Sequence, residues 1–304
     1  MTRPLALSLL VSLALPAAFG AGVSADRAAG APITRTVYVV ATDSKRVPVK
    51  DLKPDEFVVK EDGKIREVVK AQLATEPMQV CIIVDDNGTG LFRSGIAAFV
   101  QRLLGRNQFA IQTVTGQVMK VLDYSSDVKA LSEAITGLKA RAGAPDGGQL
   151  LAGISEAAND QTRRKAIRPI ILALTVGGEE HSTLPAHHVL NQIRDSGAAL
   201  YVTSVAPSAL RGTAAVEKPA DLLEGPLNLN EVLGDGSKQS GGRHDEIVAA
   251  AGIVAGLQLV AEELANQYVV SYVLPEGVKP SEKLNVTVKR RGVQVRAPSR
   301  IPER

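Results

Sequence analysis

The sequence predicts an α/β protein: a doubly wound parallel sheet accompanied by a small composite β unit built from both ends of the chain. Three observations carry that prediction. Val80–Val84 (VCIIV) and Pro169–Thr175 (PIILALT) are wholly apolar runs that each end in a polar loop, the mark of strands buried on both faces. Amphipathic segments of helical period alternate with strand-like runs between Val80 and Val205, which is the pattern of crossover-connected parallel strands. Stretches rich in β-branched residues stand at both ends, at Thr34–Thr42 and from Tyr268 onward, with too few strands at either end to close a core alone.

In chain order, Met1–Arg3 is a short basic start, Leu5 to Phe19 an apolar stretch broken by Pro16, and small residues follow at Gly20, Ala21, Ser24 and Ala25. This reads as a secretory signal peptide over residues 1–25 and places the mature protein in the periplasm or outside the cell. No later stretch has the roughly 20 apolar residues of a membrane span. An N-terminal β module is expected over residues 33–76: a strand at Thr34–Thr42, a turn at Asp43–Lys45, a short strand from Val47, a strand at Phe57–Lys60, and an Asp62-Gly63 hairpin turn into another strand. An α/β core follows over 78–207. Its strands are Val80–Val84, Phe109–Val114, Gln117–Leu122, Pro169–Thr175 and Ala199–Val205; its helices are Phe92–Leu104, Asp127–Leu138, Gln149–Asn159 and Pro185–Ser196; a glycine-rich loop spans Ala142–Gly148. Residues 208–243 read as an irregular surface excursion with a flexible run at Gly234–Gly242. A final helix over 244–266 and three strands over 267–298, pairing with the N-terminal module, complete the chain.

Composition narrows function. The chain has 304 residues with 35 Lys and Arg against 32 Asp and Glu, a balance without the concentrated basic face of a nucleic-acid binder. Aromatic residues are 3% of the chain, so stacking platforms for bases are scarce. A single cysteine, Cys81, provides neither an internal disulfide nor a Cys-based zinc site. His187-His188 point about 100° apart on a helix and do not chelate one ion, while His181 and His244 are isolated in polar segments. Lys289-Arg290-Arg291 reads as a solvated hairpin tip, and Asn285-Val286-Thr287 as a formal glycosylation acceptor within a strand.

The segments DLKPDEFVVKEDGK (Asp51–Lys64), Asp85-Asp86-Asn87-Gly88-Thr89 after an apolar strand, Pro169–Gly177, Asp195-Ser196-Gly197 before ALYVTSV, Ser240-Gly241-Gly242-Arg243 and Glu263–Val295 occur in an order that resembles secreted von Willebrand factor A-like proteins, close to the acidobacterial VWFA-related group. The resemblance implies a Rossmann-like A domain and a non-enzymatic adhesion or protein-interaction role toward an unnamed protein partner. It also implies a metal-ion-dependent adhesion site, in which a D-x-S-x-S loop, a Thr from a second loop and an Asp from a third hold a hard divalent cation with one position open for a partner's carboxylate. Here the first loop offers Asp85, Asn87 and Thr89; Gln149 stands where the family has Thr, and Val176 where it has Asp. The expectation is therefore a degenerate site and no cofactor. The alternative is weak Mg²⁺, Mn²⁺ or Ca²⁺ binding through Asp85, Asn87 and Thr89, with Asp86, Asp146 or Glu179 replacing the missing carboxylate. The Asp85 loop also resembles the first motif of haloacid-dehalogenase-like phosphatases, with Thr175 as a second motif and Asp235 as the third; Asn87 stands there in place of the general acid.

Overall fold

The computed structural model describes residues 32–138, 148–206 and 224–303. The expected signal peptide lies outside the described residues, as do most of the Ala142–Gly148 loop and the first part of the expected excursion. The chain opens with β1 (Ile33–Thr42), β2 (Phe57–Glu61) and β3 (Lys64–Leu73). The β2–β3 hairpin turns through Asp62 and Gly63, both at positive φ.

The α/β unit then runs β4 (Gln79–Asp85), α1 (Arg93–Leu103), β5 (Gln108–Thr113), β6 (Met119–Ser125), α2 (Val128–Gly137), α3 (Leu150–Arg163), β7 (Pro169–Thr175), α4 (Ala186–Ser196) and β8 (Ala199–Val205). After α5 (Glu224–Glu231) a π turn at Val232–Gly236 leads into the short α6 (Ser237–Gln239), and β9 (Arg243–Ile247) and α7 (Ile253–Ala265) close the unit. The sheet order is β6-β5-β4-β7-β8-β9, parallel except for the edge strand β6. Alternate residues of the central strands feed opposite layers: Ile82, Val84, Leu172 and Leu174 pack with α1, α2 and α7, whereas Cys81, Ile83, Ile171 and Ala173 pack with α3 and α4. Both faces are covered, which is why β4 and β7 read as unbroken apolar runs. Burial pushes the Cys81 thiol up to about 12, so it is a core group without thiolate character.

The expected partnership of the two chain ends is present. β10 (Tyr268–Leu274), β11 (Leu284–Val288) and β12 (Gln294–Arg296) join the N-terminal strands in an antiparallel sheet of order β11-β2-β3-β10-β1-β12. Its core holds Val37, Val39, Phe57, Val59, Tyr268, Val270 and Tyr272. Only Asn266 and Gln267 separate α7 from β10, so the two sheets are joined through a short, buried connection.

Four sequence expectations differ from the structure. The helix expected over 244–266 begins at Ile253, because Arg243–Ile247 forms a strand parallel to β8. Apolar residues at helical spacing mislead there, since the strand is stabilised by its charges: Arg243 is ion-paired with the buried Glu263 of α7. The Gly234–Gly242 run is not a flexible surface excursion. Val232 and Leu233 are buried against the α3–α4 layer, and Gly236 sits against Leu190, Ile193 and Leu200. The small residues serve close packing, and a β-carbon on Gly242 would stand 1.9 Å from the Leu200 carbonyl oxygen. The strand expected at Gln117–Leu122 is shifted to Met119–Ser125, where Lys120 lies against Asp160 of α3 and Tyr124 against Arg164, the residue that ends that helix. Lys289-Arg290-Arg291 is also not a fully solvated tip, because Arg290 is ion-paired with Asp51 and Glu56.

Gly242→Ala is expected to lower folding stability by about 3 kcal/mol, since the obstacle is backbone that cannot rotate away. Gly137→Ala, at a helical position with nothing within 4 Å of the added methyl, is expected to stabilise by roughly 0.5 kcal/mol. Urea unfolding of the two variants checks both signs.

Candidate functional site at the carboxyl edge of the main sheet

Parallel pairing sets Asp85, the last residue of β4, directly beside Thr175, the last residue of β7. The loops 86–90 and 176–182 therefore leave the sheet side by side, at the edge where open α/β sheets bind ligands. A third segment joins them. The Gly148 amide donates to the Glu179 carbonyl (2.8 Å), the His181 amide donates to the Gly148 carbonyl (2.9 Å), and α3 starts two residues later.

Asp85 is 5% exposed. Its Oδ2 accepts a 2.6 Å hydrogen bond from the Thr175 hydroxyl, which itself accepts from the Gly177 amide at 2.9 Å and is thereby oriented toward the carboxyl. Its Oδ1 is buried with no hydrogen-bond partner among the described residues. A β-carbon at position 148 would lie 2.7 Å from that Oδ1, so Gly148 is what lets the third segment close over the carboxyl group. Burial, reinforced by Asp86 and opposed by Thr175, pushes Asp85 up to about 6.

Asp86 shapes the loop. Its Oδ1 accepts from the Gly88 amide (3.0 Å) and its Oδ2 from the Leu91 amide (3.1 Å), while Asn87, Gly88 and Gly90 take positive φ. Asn87 keeps a buried Oδ1 without a hydrogen-bond partner among the described residues. Thr89 is exposed, and its hydroxyl accepts from the Leu91 amide at 3.3 Å. Gln149 donates to the Gly116 carbonyl (3.2 Å), and Val176 joins the apolar core beneath the edge.

Glu180 is the functional-edge residue that sequence reasoning missed. Its buried carboxylate accepts from the Leu150 and Leu151 amides (2.9 and 3.3 Å) and, through the other oxygen, from Ser182 (2.9 Å). It therefore caps the N-terminus of α3 from a distant loop, where the helix dipole favours an anion. Burial nevertheless dominates and, with Asp85 nearby, raises its pKa to about 7. No local sequence signal marks such a cap, because donor and acceptor are thirty residues apart. Glu179, the substitute weighed from sequence, instead has its carboxylate 3.4 Å from the His181 ring; Asp146 lies outside the described residues.

This donor set does not fit a resident Mg²⁺, Mn²⁺ or Ca²⁺. Two orphaned oxygens, on Asp85 and Asn87, come from one loop. The facing loop contributes Thr175, already donating to Asp85, and the hydrocarbon of Val176. The remaining nearby carboxylate is occupied by three amides. A hard cation here would meet one carboxyl group with an oxygen to spare, and little else to replace its water. Among the described residues no cluster of three or more His, Cys, Asp or Glu is placed to hold a metal. The phosphatase arrangement is not assembled either: Asp235 lies within the Val232–Gly236 turn on the α3–α4 side, not in a loop following a strand.

No family model and no curated protein matches this chain. Among solved structures it is similar to a von Willebrand factor type A protein from Catenulispora acidiphila, at 12% identity over 91% of this chain and 75% of that one, with a TM-score of 0.48. It is also similar to the vWF domain of the type V pili tip protein Mfa5 from Porphyromonas gingivalis (12% identity, 62% of this chain, 95% of that one, TM-score 0.42). A third is the manganese-loaded TRAP protein of Plasmodium vivax (12% identity, 77% of this chain, 99% of that one, TM-score 0.42). At such identities likeness concerns the fold alone. The six-stranded order with one antiparallel edge strand and helices on both faces is a doubly wound α/β fold, joined to an antiparallel sheet made from the two chain ends.

Both raised carboxyls bind their proton more tightly folded than unfolded. Their contribution to stability is therefore fully present below about pH 4 and is lost as pH rises through about 6 for Asp85 and 7 for Glu180. The stability difference between the natural protein and Asp85→Asn is expected to shift by on the order of 3 kcal/mol, against the natural protein, between pH 4 and pH 7. Urea unfolding across that range measures it, and parallel profiles would refute the assignment.

Proposed function

We propose that this chain is a secreted or periplasmic, non-enzymatic protein-interaction module of the acidobacterial VWFA-related kind, which recognises a protein partner through the loops 86–90 and 176–182 without a resident metal. The observation that carries the reading is the Thr175–Asp85 hydrogen bond beside Val176: the carboxyl group that would hold a cation is held by a hydroxyl, and the opposite ligand position is hydrocarbon. Secretion is supported by the basic start and apolar stretch of residues 1–25, and no described helix is long and apolar enough to cross a membrane. A recognition role suits the fold, in which function lies at the sheet edge and is not dictated by the architecture beneath it.

The second reading, metal-dependent binding through Asp85, Asn87 and Thr89, is favoured by one observation, the two buried oxygens left without partners on Asp85 and Asn87. Calorimetric titration of Mg²⁺, Mn²⁺ and Ca²⁺ into the protein, with thermal unfolding in parallel, separates the two. The metal-free reading expects no saturable heat and an unchanged unfolding temperature at millimolar ion. Saturable binding that raises the unfolding temperature and vanishes in Asp85→Ala would replace it with the metal-dependent one.

A further inference from the structure

Asn87 is the one asparagine in the sequence that is followed by glycine, and the pair stands at the tip of the Asp86–Gly90 loop. Such a pair holds an electrophile and a nucleophile side by side, because glycine has no β-carbon to shield its backbone nitrogen from the preceding carboxamide. The turn around it is tightly specified. Asn87 and Gly88 take φ of 50° and 69°, the positive values that both central residues of a type I′ turn require, and the Thr89 amide closes the turn by donating to the Asp86 carbonyl at 3.0 Å. The Gly88 nitrogen is held as well: it donates to Asp86 Oδ1 at 3.0 Å, and Asp86, 5% exposed, is itself fixed by the Leu91 amide at 3.1 Å. The Asn87 carboxamide has no such restraint at its oxygen, which finds no hydrogen-bond partner among the described residues. Thr89, next in the loop, is exposed, so water reaches the tip.

We infer that Asn87–Gly88 is a self-modification site at which the asparagine is converted to aspartate and isoaspartate, and that the Asp86 carboxylate sets its pace by holding the Gly88 nitrogen. The chemistry needs water alone. The Gly88 nitrogen attacks Asn87 Cγ; the N–Cγ bond forms, the Cγ–Nδ2 bond breaks, and ammonia leaves with the proton that the nitrogen gives up. Water then opens the cyclic imide. Attack at Cγ yields aspartate, and attack at the main-chain carbonyl carbon yields isoaspartate, whose backbone runs through the former side chain. Nothing is oxidised or reduced, and either product adds a negative charge to the loop that follows Asp85 and Asp86. Before the first step the nitrogen must leave Asp86 and the turn must open. At about tenfold for each of these two hydrogen bonds, closure runs about a hundredfold slower than in an unrestrained chain. That the product alters recognition rests on the reading of this loop as a partner surface; the conversion itself does not.

Mass spectrometry of position 87 provides the test. The folded protein is incubated in mildly alkaline heavy-oxygen water, digested with pepsin in acid, and compared with a free peptide of residues 84–91 treated alongside. Asn87 is expected to convert before every other asparagine, to take up heavy oxygen, to give both products, and to lag the peptide about a hundredfold. Asp86→Ala is expected to convert about tenfold faster than the natural protein. Asp127→Ala, which removes the N-terminal cap of α2 and leaves this turn alone, is expected to match the natural rate. Another asparagine converting first overturns the inference, as does an Asn87 still intact after about a thousandfold the peptide's half-life. Conversion in Asp86→Ala at the natural rate removes Asp86 from it. Equal acceleration in Asp86→Ala and Asp127→Ala would route the chemistry through unfolded molecules and overturn the part given to the turn. None of these readouts involves a partner, so a failure of the recognition reading leaves them unmoved.

Discussion

The structure depends on how Arg168 is buried. It stands at the foot of β7, 3% exposed, with no carboxylate among the described residues bonded to it. Its guanidinium donates to the Leu264 carbonyl at the end of α7, to the Gln267 side chain (2.8 Å) in the link to β10 and to the Glu76 carbonyl (3.4 Å) in the link between β3 and β4, and lies 5.2 Å over the Tyr38 ring of β1. Burial lowers its pKa, yet a guanidinium does not shed its proton within a protein, so the charge is retained and satisfied by carbonyl dipoles and a π face. Each connection between the two sheets converges on this one side chain. Removing it would leave several carbonyls without donors in the place where the sheets meet, a larger loss than any single contact it makes.

A second junction reinforces the first. Glu263, on the last turn of α7 and 3% exposed, is gripped by Arg243 of β9 and by Arg296 of β12 (2.7 Å), so the edge of one sheet and the edge of the other share a buried carboxylate. Gln267 in turn reaches toward the Tyr201 hydroxyl of β8 at 3.5 Å. With both junctions formed, the last helix of the α/β unit is fixed at its end by covalent continuity, hydrogen bonds and ion pairs together.

How much of this was legible follows from what each residue's neighbours do. β4 and β7 were plain because burial on both faces demands an unbroken apolar run; the polar loop after β4 followed from that, and Asp85 within it was picked out by the resemblance of its loop to a D-x-S-x-S segment. β9 was misread because Ile247, Val248 and Ala251 fall at helical spacing while the ion pairs that make Arg243–Ile247 a strand come from α7 and from Arg46 (2.9 Å to Asp245), distant in sequence. Glycine is ambiguous for a related reason: a run rich in Gly and Ser is equally the composition of a loose loop and of a backbone pressed against another, and only Leu200 reveals which Gly242 is. Glu180 was invisible because its role is set by amides at the start of α3. The degenerate ligand set was readable as residue types, but the hydroxyl that occupies Asp85 and the glycine that closes over it were not.

The placement of β10 carries a consequence for biogenesis. This strand sits between β3 and β1, pairs with both, and is made only after the whole α/β unit has been synthesised. Until then the N-terminal strands lack their central partner, and their outward-facing Ile65 and Val69 belong to an incomplete sheet with unpaired edges. The α/β unit has all its own strands before β10 emerges, so the natural order is inside first, ends last, with β10 completing the ring of contacts as it follows α7. The N-terminal strands thus act as a test of chain completion: a product truncated anywhere before Tyr268 keeps them open to proteases and chaperones, and only the finished chain conceals them.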